Sequence, residues 1–225
     1  MQQERCGMKV STDACIQGAW TPIAGNVKYV LDIGTGTGLL SLMLAQRNSD
    51  IIIDAIELDE AAAQQACENA ATSPWADRIK VLQGDVKTYP FNRGYDMVIC
   101  NPPFFHNSLQ STEAARNNAR HSTQLTLNAL EEVVSKVLTA DGYAAIILPA
   151  AEHEHLQKLF AEKGWANMAR LMIVPKPGAE ANRIVSLWTK NMTVPDVTET
   201  IQVRDSSDGY TEAFKELLHP FYLFL

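Results

Sequence analysis

The chain has no apolar run near the length of a membrane span, and its polar N-terminus does not read as a signal peptide. Cysteine is scarce. Cys6, Cys15, Cys67 and Cys100 make no C-x-x-C pair. They are expected to be free thiols of a cytoplasmic protein. His153-Glu154-His155 lacks the two-histidine spacing of a zinc protease helix; the triplet is expected to face solvent, and no metal site is expected. Positive charge is also in short supply. A net charge of -7 excludes an obviously basic nucleic-acid binder. There is no internal repeat and no low-complexity tract. At 225 residues and 46% apolar content, one domain over 1–225 with a large core is expected.

What is present concentrates at Asn101-Pro102-Pro103-Phe104. The tetrapeptide ends an apolar run, Tyr95-Asp96-Met97-Val98-Ile99-Cys100, that reads as a buried strand. Two prolines can neither continue a sheet ladder nor enter a helix interior, so the chain must turn. The turn would hold Asn101 at the carboxyl end of a strand, where open α/β sheets bind ligands. A side-chain carbonyl and a neighbouring backbone carbonyl are two acceptors, matching the two hydrogens of an exocyclic amino group. An adjacent aromatic ring can stack on a flat base. The plain alternative is a proline turn after a strand.

Upstream, Lys28-Tyr29-Val30-Leu31-Asp32-Ile33 reads as a strand, Gly34-Thr35-Gly36-Thr37-Gly38 as a loop, and Leu39 to Ala45 as a helix. Strand, glycine loop and helix together let the backbone approach a nucleotide closely. A dinucleotide fingerprint needs glycine at position 39, where this chain has Leu39, so a pyrophosphate cradle is disfavoured. Asp32 suits a cationic ligand group such as an amino-acid ammonium. A second strand, Ile51 to Glu57, ends in a carboxylate about twenty residues past the loop, where an acid meets ribose hydroxyls. Asp59 is a helix N-cap candidate. A third strand, Ile79 to Gln83, runs into Gly84-Asp85.

Helices are expected over Glu60 to Ala71, Ser122 to Leu138 and Glu152 to Glu162. Further strands are expected over Tyr143 to Leu148, Met168 to Val174 and Arg183 to Trp188. This alternation predicts an α/β fold, a parallel sheet with helices on both faces. Segment 1–25 is expected to be lid-like, and 191–225 an appendage. Charge is uneven. Lys163, Arg170, Lys176, Arg183 and Lys190 face one acid, Glu180, in their segment; Arg116 and Arg120 face only Glu113 in theirs. A basic patch beside the proline turn would suffice for phosphate contacts.

Asn101-Pro102-Pro103-Phe104 resembles the catalytic motif of S-adenosylmethionine-dependent N-methyltransferases, and the glycine loop resembles the first motif of class I methyltransferases. Met8-Lys9-Val10-Ser11-Thr12-Asp13-Ala14 with Gly18-Ala19-Trp20, Asn107-Ser108, Ala119-Arg120-His121, Tyr210 to Phe214 and Phe221 to Phe224 sharpen this. Together they resemble the bacterial tRNA1(Val) (adenine-37-N6)-methyltransferase family over essentially the whole chain. Departures are Phe105, where relatives often carry a second tyrosine, and a short segment before Met8.

The resemblance implies a Rossmann-like sheet of seven strands, the seventh antiparallel, with S-adenosylmethionine as cofactor and S-adenosylhomocysteine as product. It implies tRNA as partner, no membrane, and no obligate protein partner. Asn101, Pro102, Pro103 and Phe104 would be catalytic. Lys9, Thr12, Asp32, Gly34, Gly36, Gly38, Glu57 and Asp85 would bind the cofactor, Asp85 through the adenine amino group. Phe105, Arg116, Arg120, Lys176 and Arg183 would bind substrate. Alternatives compatible with the tetrapeptide are an rRNA guanine-N2 methyltransferase, a release-factor glutamine-N5 methyltransferase and a non-catalytic RNA-binding module.

Overall fold

The structure is a computed structural model describing residues 1–5, 10–102 and 125–223. Its centre is a sheet of eight strands in the order β3-β2-β1-β4-β5-β7-β6-β8. The strands are β1 Tyr29–Ile33, β2 Ile52–Glu57, β3 Ile79–Gln83, β4 Tyr95–Cys100, β5 Leu138–Pro149, β6 Ala166–Val174, β7 Arg183–Thr189 and β8 Val197–Gln202. The helices are α1 Thr12–Trp20, α2 Leu39–Arg47, α3 Glu60–Ala71, α4 Leu127–Val137, α5 Ala150–Glu162 and α6 Glu212–Leu218. β7 runs antiparallel to both its neighbours, and the remaining pairings are parallel.

Continuous apolar runs become the central strands because both faces of a parallel sheet are covered. β4 shows the alternation. Val98 and Cys100 join the core under α4 and α5, while Met97 and Ile99 join the core under α2 and α3. A third cluster packs α1 and α6 on β5 to β8 through Ile16, Ile147, Val185, Ile201 and Phe214. Strand order reverses between β1 and β4, which opens a crevice at their carboxyl ends.

Helix α3 spans the predicted residues, with Asp59 as its N-cap accepting from the Ala62 N–H. Three expectations change. The helix predicted from Ser122 begins at Leu127 among the described residues: Thr126 caps it by accepting from the Ala129 N–H, and Leu138 already belongs to β5. The seven predicted strands gain an eighth, β8, which adds parallel to β6 from the 191–225 segment. His153 does not face solvent. It is 2% exposed, with its ring 6.2 Å from that of Trp188, and burial pushes it down to about 4, so it is neutral near pH 7. Glu154 and His155 are exposed, as expected.

Gly18-Ala19-Trp20 has a packing reason. A Cβ on Gly18 would meet Met43 Sδ at 2.7 Å, so a larger residue there would make the Met43 side chain shift between α1 and α2. Arg47 donates to the Gly18 and Thr21 carbonyls at 2.7 and 2.6 Å, satisfying the end of α1. Among the described residues, no helix is long and apolar enough to cross a membrane.

Candidate active site

The glycine loop is shaped by its backbone. Gly34, Gly36 and Gly38 have φ of 70°, 56° and 82°, a left-handed region that costs glycine nothing. Nothing lies within 4 Å of a Cβ built on Gly34 or Gly36, so side chains there would project into open space. The loop is tied to the end of β2. Gly34 and Thr35 donate their N–H groups to the Ile56 carbonyl at 2.9 and 3.1 Å, and the Gly36 N–H donates to Glu57 Oε2 at 2.9 Å. Asn69 of α3 holds the Thr37 carbonyl at 2.9 Å.

Asp32 lies beneath the loop and is fully buried. Its Oδ2 accepts from Thr35 Oγ1 at 2.6 Å and Ser41 Oγ at 2.7 Å. It does not line the cavities described below, so its visible work is to organise the loop. Burial pushes its carboxyl up to about 6 from an ordinary 3.8, and the Thr35 and Ser41 hydrogen bonds oppose that rise. The folded value lies above the unfolded one. The associated stability is therefore fully present below pH 3.8 and is lost as pH rises through about 6. A shift of this size corresponds to about 3 kcal/mol. Asp32→Asn keeps an acceptor for both hydroxyls and removes the titration. Urea unfolding should show wild type losing about 1 kcal/mol between roughly pH 5 and pH 7.5 beyond what Asp32→Asn loses. Equal losses would mean that Asp32 does not titrate in this range.

Two cavities meet at Gly34. One, of 190 Å³, has apolar walls from Leu58, Val86 and Pro102 and carboxylates from Glu57 and Asp85. The other, of 300 Å³, is lined by Ser11, Asp13, Gly34, Gly36, Asn101 and Arg183. A mostly apolar cavity carrying two carboxylates, joined at Gly34 to a more polar chamber, suits an adenosine bearing an amino-acid tail. Glu57 Oε1 accepts from the Asp59 N–H at 3.1 Å, which steadies the carboxylate while leaving lone pairs on both oxygens. Asp85 accepts from the Lys87 N–H at 3.0 Å and pairs with the Lys87 ammonium at 3.3 Å.

Asn101 stands where β4 ends. Its Oδ1 is buried, and no described residue donates to it. In a native structure a buried orphan acceptor needs a reason. Here it faces the chamber next to the glycine loop. Pro102 is buried and walls the first cavity. Burial, with Asp32 and Glu57 nearby, pushes the Cys100 thiol far above its ordinary range, so it is no nucleophile.

The expected site residues divide. Asn101, Pro102, Gly34, Gly36, Glu57 and Asp85 come together around the two cavities. Gly38 caps α2 in the left-handed region and lines neither. Thr12 faces a neighbouring groove, while Ser11 and Asp13 line the second cavity. Lys9, Pro103, Phe104, Phe105, Arg116 and Arg120 lie outside the described residues.

The basic segment 163–190 is not one patch. β6 and β7 are antiparallel, so Lys176 and Arg183 sit at the crevice edge. Lys163 and Lys190 lie at the opposite edge, on the order of 20 Å away for a strand of this length. Lys190 donates to the Lys163 carbonyl and covers the Trp165 ring. Arg170 is paired with Asp196, and Arg183 with Asp13 at 3.1 Å. Sequence reasoning missed Arg204, which shares the groove of Lys176, Asn182 and Tyr210. It lies in a tail whose overall acidity hides it.

The chain matches the methyltransferase small domain family over residues 21–145. A tRNA1(Val) (adenine(37)-N6)-methyltransferase from Tolumonas auensis is 41% identical over 226 residues, covering 99% of this chain and 93% of that protein. One of the same name from Aeromonas salmonicida is 38% identical, covering 99% and 94%. Among solved structures, one described as a predicted O-methyltransferase from Agrobacterium tumefaciens superposes with a TM-score of 0.72 at 16% identity. It covers 94% of this chain and 98% of its own. The glycopeptide N-methyltransferase MtfA, solved with S-adenosylmethionine, gives 0.56 at 12% identity, covering 81% and 88%. The low identity of these structures makes them a likeness of fold alone, whereas the sequence relatives match end to end: the chain belongs to the tRNA1(Val) (adenine(37)-N6)-methyltransferase family.

Proposed function

We propose that this chain transfers a methyl group from S-adenosylmethionine to the exocyclic N6 of an adenine in tRNA, the adenine at position 37 of a valine tRNA for which its relatives are named. The observation that carries this reading is the buried Oδ1 of Asn101, to which no described residue donates, held at the end of β4 beside the glycine loop. Bound S-adenosylmethionine would supply an electrophilic methyl on a sulfonium and depart as the neutral thioether.

The residues divide the remaining work. Glu57 would accept from the ribose hydroxyls and Asp85 from the donor adenine's amino group, with Leu58, Val86 and Pro102 packing on the donor ring. Asn101 Oδ1 and the Pro102 carbonyl would accept the two N6 hydrogens of the substrate adenine. That fixes the amino group and turns its lone pair toward the methyl position. Phe104, with Phe105 beside it, would stack on the extruded base, which leaves a single-stranded loop at least cost. As the new N–C bond forms, the nitrogen becomes acidic, and its proton can pass to water. No strong base is needed, and positioning is the main contribution.

The test is incubation with labelled S-adenosylmethionine and unmodified bulk tRNA, followed by nucleoside analysis. N6-methyladenosine is expected. Label in N2-methylguanosine would move the reading to the guanine enzymes, and label only on protein would move it to the glutamine enzymes.

Lys176 and Arg204 are the crevice-edge cations proposed to meet tRNA phosphates, with Arg183 inside the chamber next to them. Lys176→Ala should weaken tRNA binding and reduce the slope of log affinity against log salt by about one. A salt titration of tRNA binding reads this directly, and an unchanged slope would remove Lys176 from the interface.

A further inference from the structure

Helix α1 carries one amide in an otherwise small and apolar buried run, Ala14-Cys15-Ile16-Gln17-Gly18-Ala19. Gln17 has no solvent exposure. Its Nε2 donates to the Cys100 carbonyl at 3.0 Å and to the Ala145 carbonyl at 3.2 Å. Both hydrogens of the amide are therefore spent on two adjacent strands, on the last residue of β4 and on Ala145 within β5. Cys100 is the residue before Asn101. Its carbonyl and the Asn101 nitrogen share one rigid peptide plane, so holding one end orients the other.

The same helix carries Asp13 and Ala14 into the donor-side chamber. They lie one turn before Gln17, on its face of the helix. Gln17 thus joins the wall of that chamber to the backbone that presents Asn101.

Stability alone does not account for this residue. Its Oε1 is buried and accepts from no described residue. An apolar side chain of the same size would leave no orphan oxygen, though it would also take these donors away from the Cys100 and Ala145 carbonyls. What the amide contributes that methionine or leucine cannot is the pair of directed donors.

We propose that Gln17 is a positioning residue for methyl transfer, clamping the Cys100–Asn101 peptide so that the Asn101 acceptor stays aimed into the chamber. The proposal rests on the reading of Asn101 as the acceptor for the substrate amino group. Gln17→Met keeps the length and volume and removes both donors. The folded variant should bind S-adenosylmethionine as wild type does in calorimetry, with KM for tRNA unchanged. Its single-turnover methylation rate should fall roughly tenfold, the cost of a small misplacement at the reacting centre. In an Asn101→Ala background the same change should have no further effect, because the residue it positions has lost its acceptor.

A readout that needs no RNA accompanies this. In the donor-bound protein the Asn101 side-chain amide should give one sharp pair of nitrogen-correlated proton resonances, and Gln17→Met and Gln17→Leu should broaden or split it. An unchanged pair at an unchanged rate overturns the proposal. So does an equal rate loss in the Asn101→Ala background. Loss of fold in both variants, or donor affinity falling together with the rate, also overturns it, because the role is then structural. Wild-type protein that fails to methylate tRNA while the Asn101 pair still responds to Gln17 would sink the RNA reading and leave the clamp standing.

Discussion

Asn101→Ala should lower methyl transfer by on the order of a hundredfold or more, the usual loss when one well-oriented hydrogen bond to a reacting group is removed. Binding of S-adenosylmethionine should survive, because Asn101 is assigned no hydrogen bond to the donor and the apolar slot for its adenosine is walled by other residues. The fold should survive too. The Oδ1 that disappears accepts no hydrogen bond from a described residue, so its loss leaves no described donor unpaired. Rate and stability are thus expected to separate, and this separation distinguishes a working acceptor from a turn residue. Asn101→Asp is the finer probe. A carboxylate still accepts, but it brings a charge toward the buried Asp32 and Cys100. It should retain more activity than alanine and less than asparagine. Methylation of tRNA at the wild-type rate by Asn101→Ala would reduce Asn-Pro-Pro to a way of ending a strand.

The parts of this molecule that were legible in the sequence are those where local chemistry leaves the chain little choice. Tyr95 to Cys100 can only be a buried strand, and two prolines can only end it. The glycine loop must turn, and its acids follow at intervals set by strand and helix lengths. What stayed hidden depends on contacts distant in sequence. β8 is an edge strand whose only buried residue is Ile201, so its alternation of Thr and Glu looks like loop. His153 reads as a surface residue between Glu152 and Glu154, and only the packing of α5 on Trp188 shows it buried. The basic segment looks continuous along the chain, and the antiparallel β6–β7 pair separates its two ends across the sheet. Asp32 is a nearer case: its hydroxyl partners, three and nine residues on, set it beneath the loop. Gln17 has no local signature beyond an amide in an apolar helix, because its partners are 83 and 128 residues away.

Glu57→Ala should weaken S-adenosylmethionine binding by between about tenfold and a hundredfold, the range for losing hydrogen bonds to a charged acceptor. Two effects combine. The carboxylate that would accept from the ribose is gone, and so is the Oε2 that holds the Gly36 N–H at 2.9 Å. The loop should therefore loosen as well as lose a ligand contact. The residue also anchors the Asp59 N–H at the start of α3, but Asp59 caps that helix through its own side chain, so α3 should persist. Glu57→Gln separates the two contributions. Its carbonyl oxygen can still accept from Gly36 or from a hydroxyl, without the charge that makes either bond strong. It should fall between wild type and alanine in calorimetric affinity, with all three still folding. The rate at saturating donor should recover in both variants, because Glu57 lies away from the reacting nitrogen. A persistent loss of rate at saturation would place Glu57 in the transfer step, and unchanged affinity would remove it from the donor site.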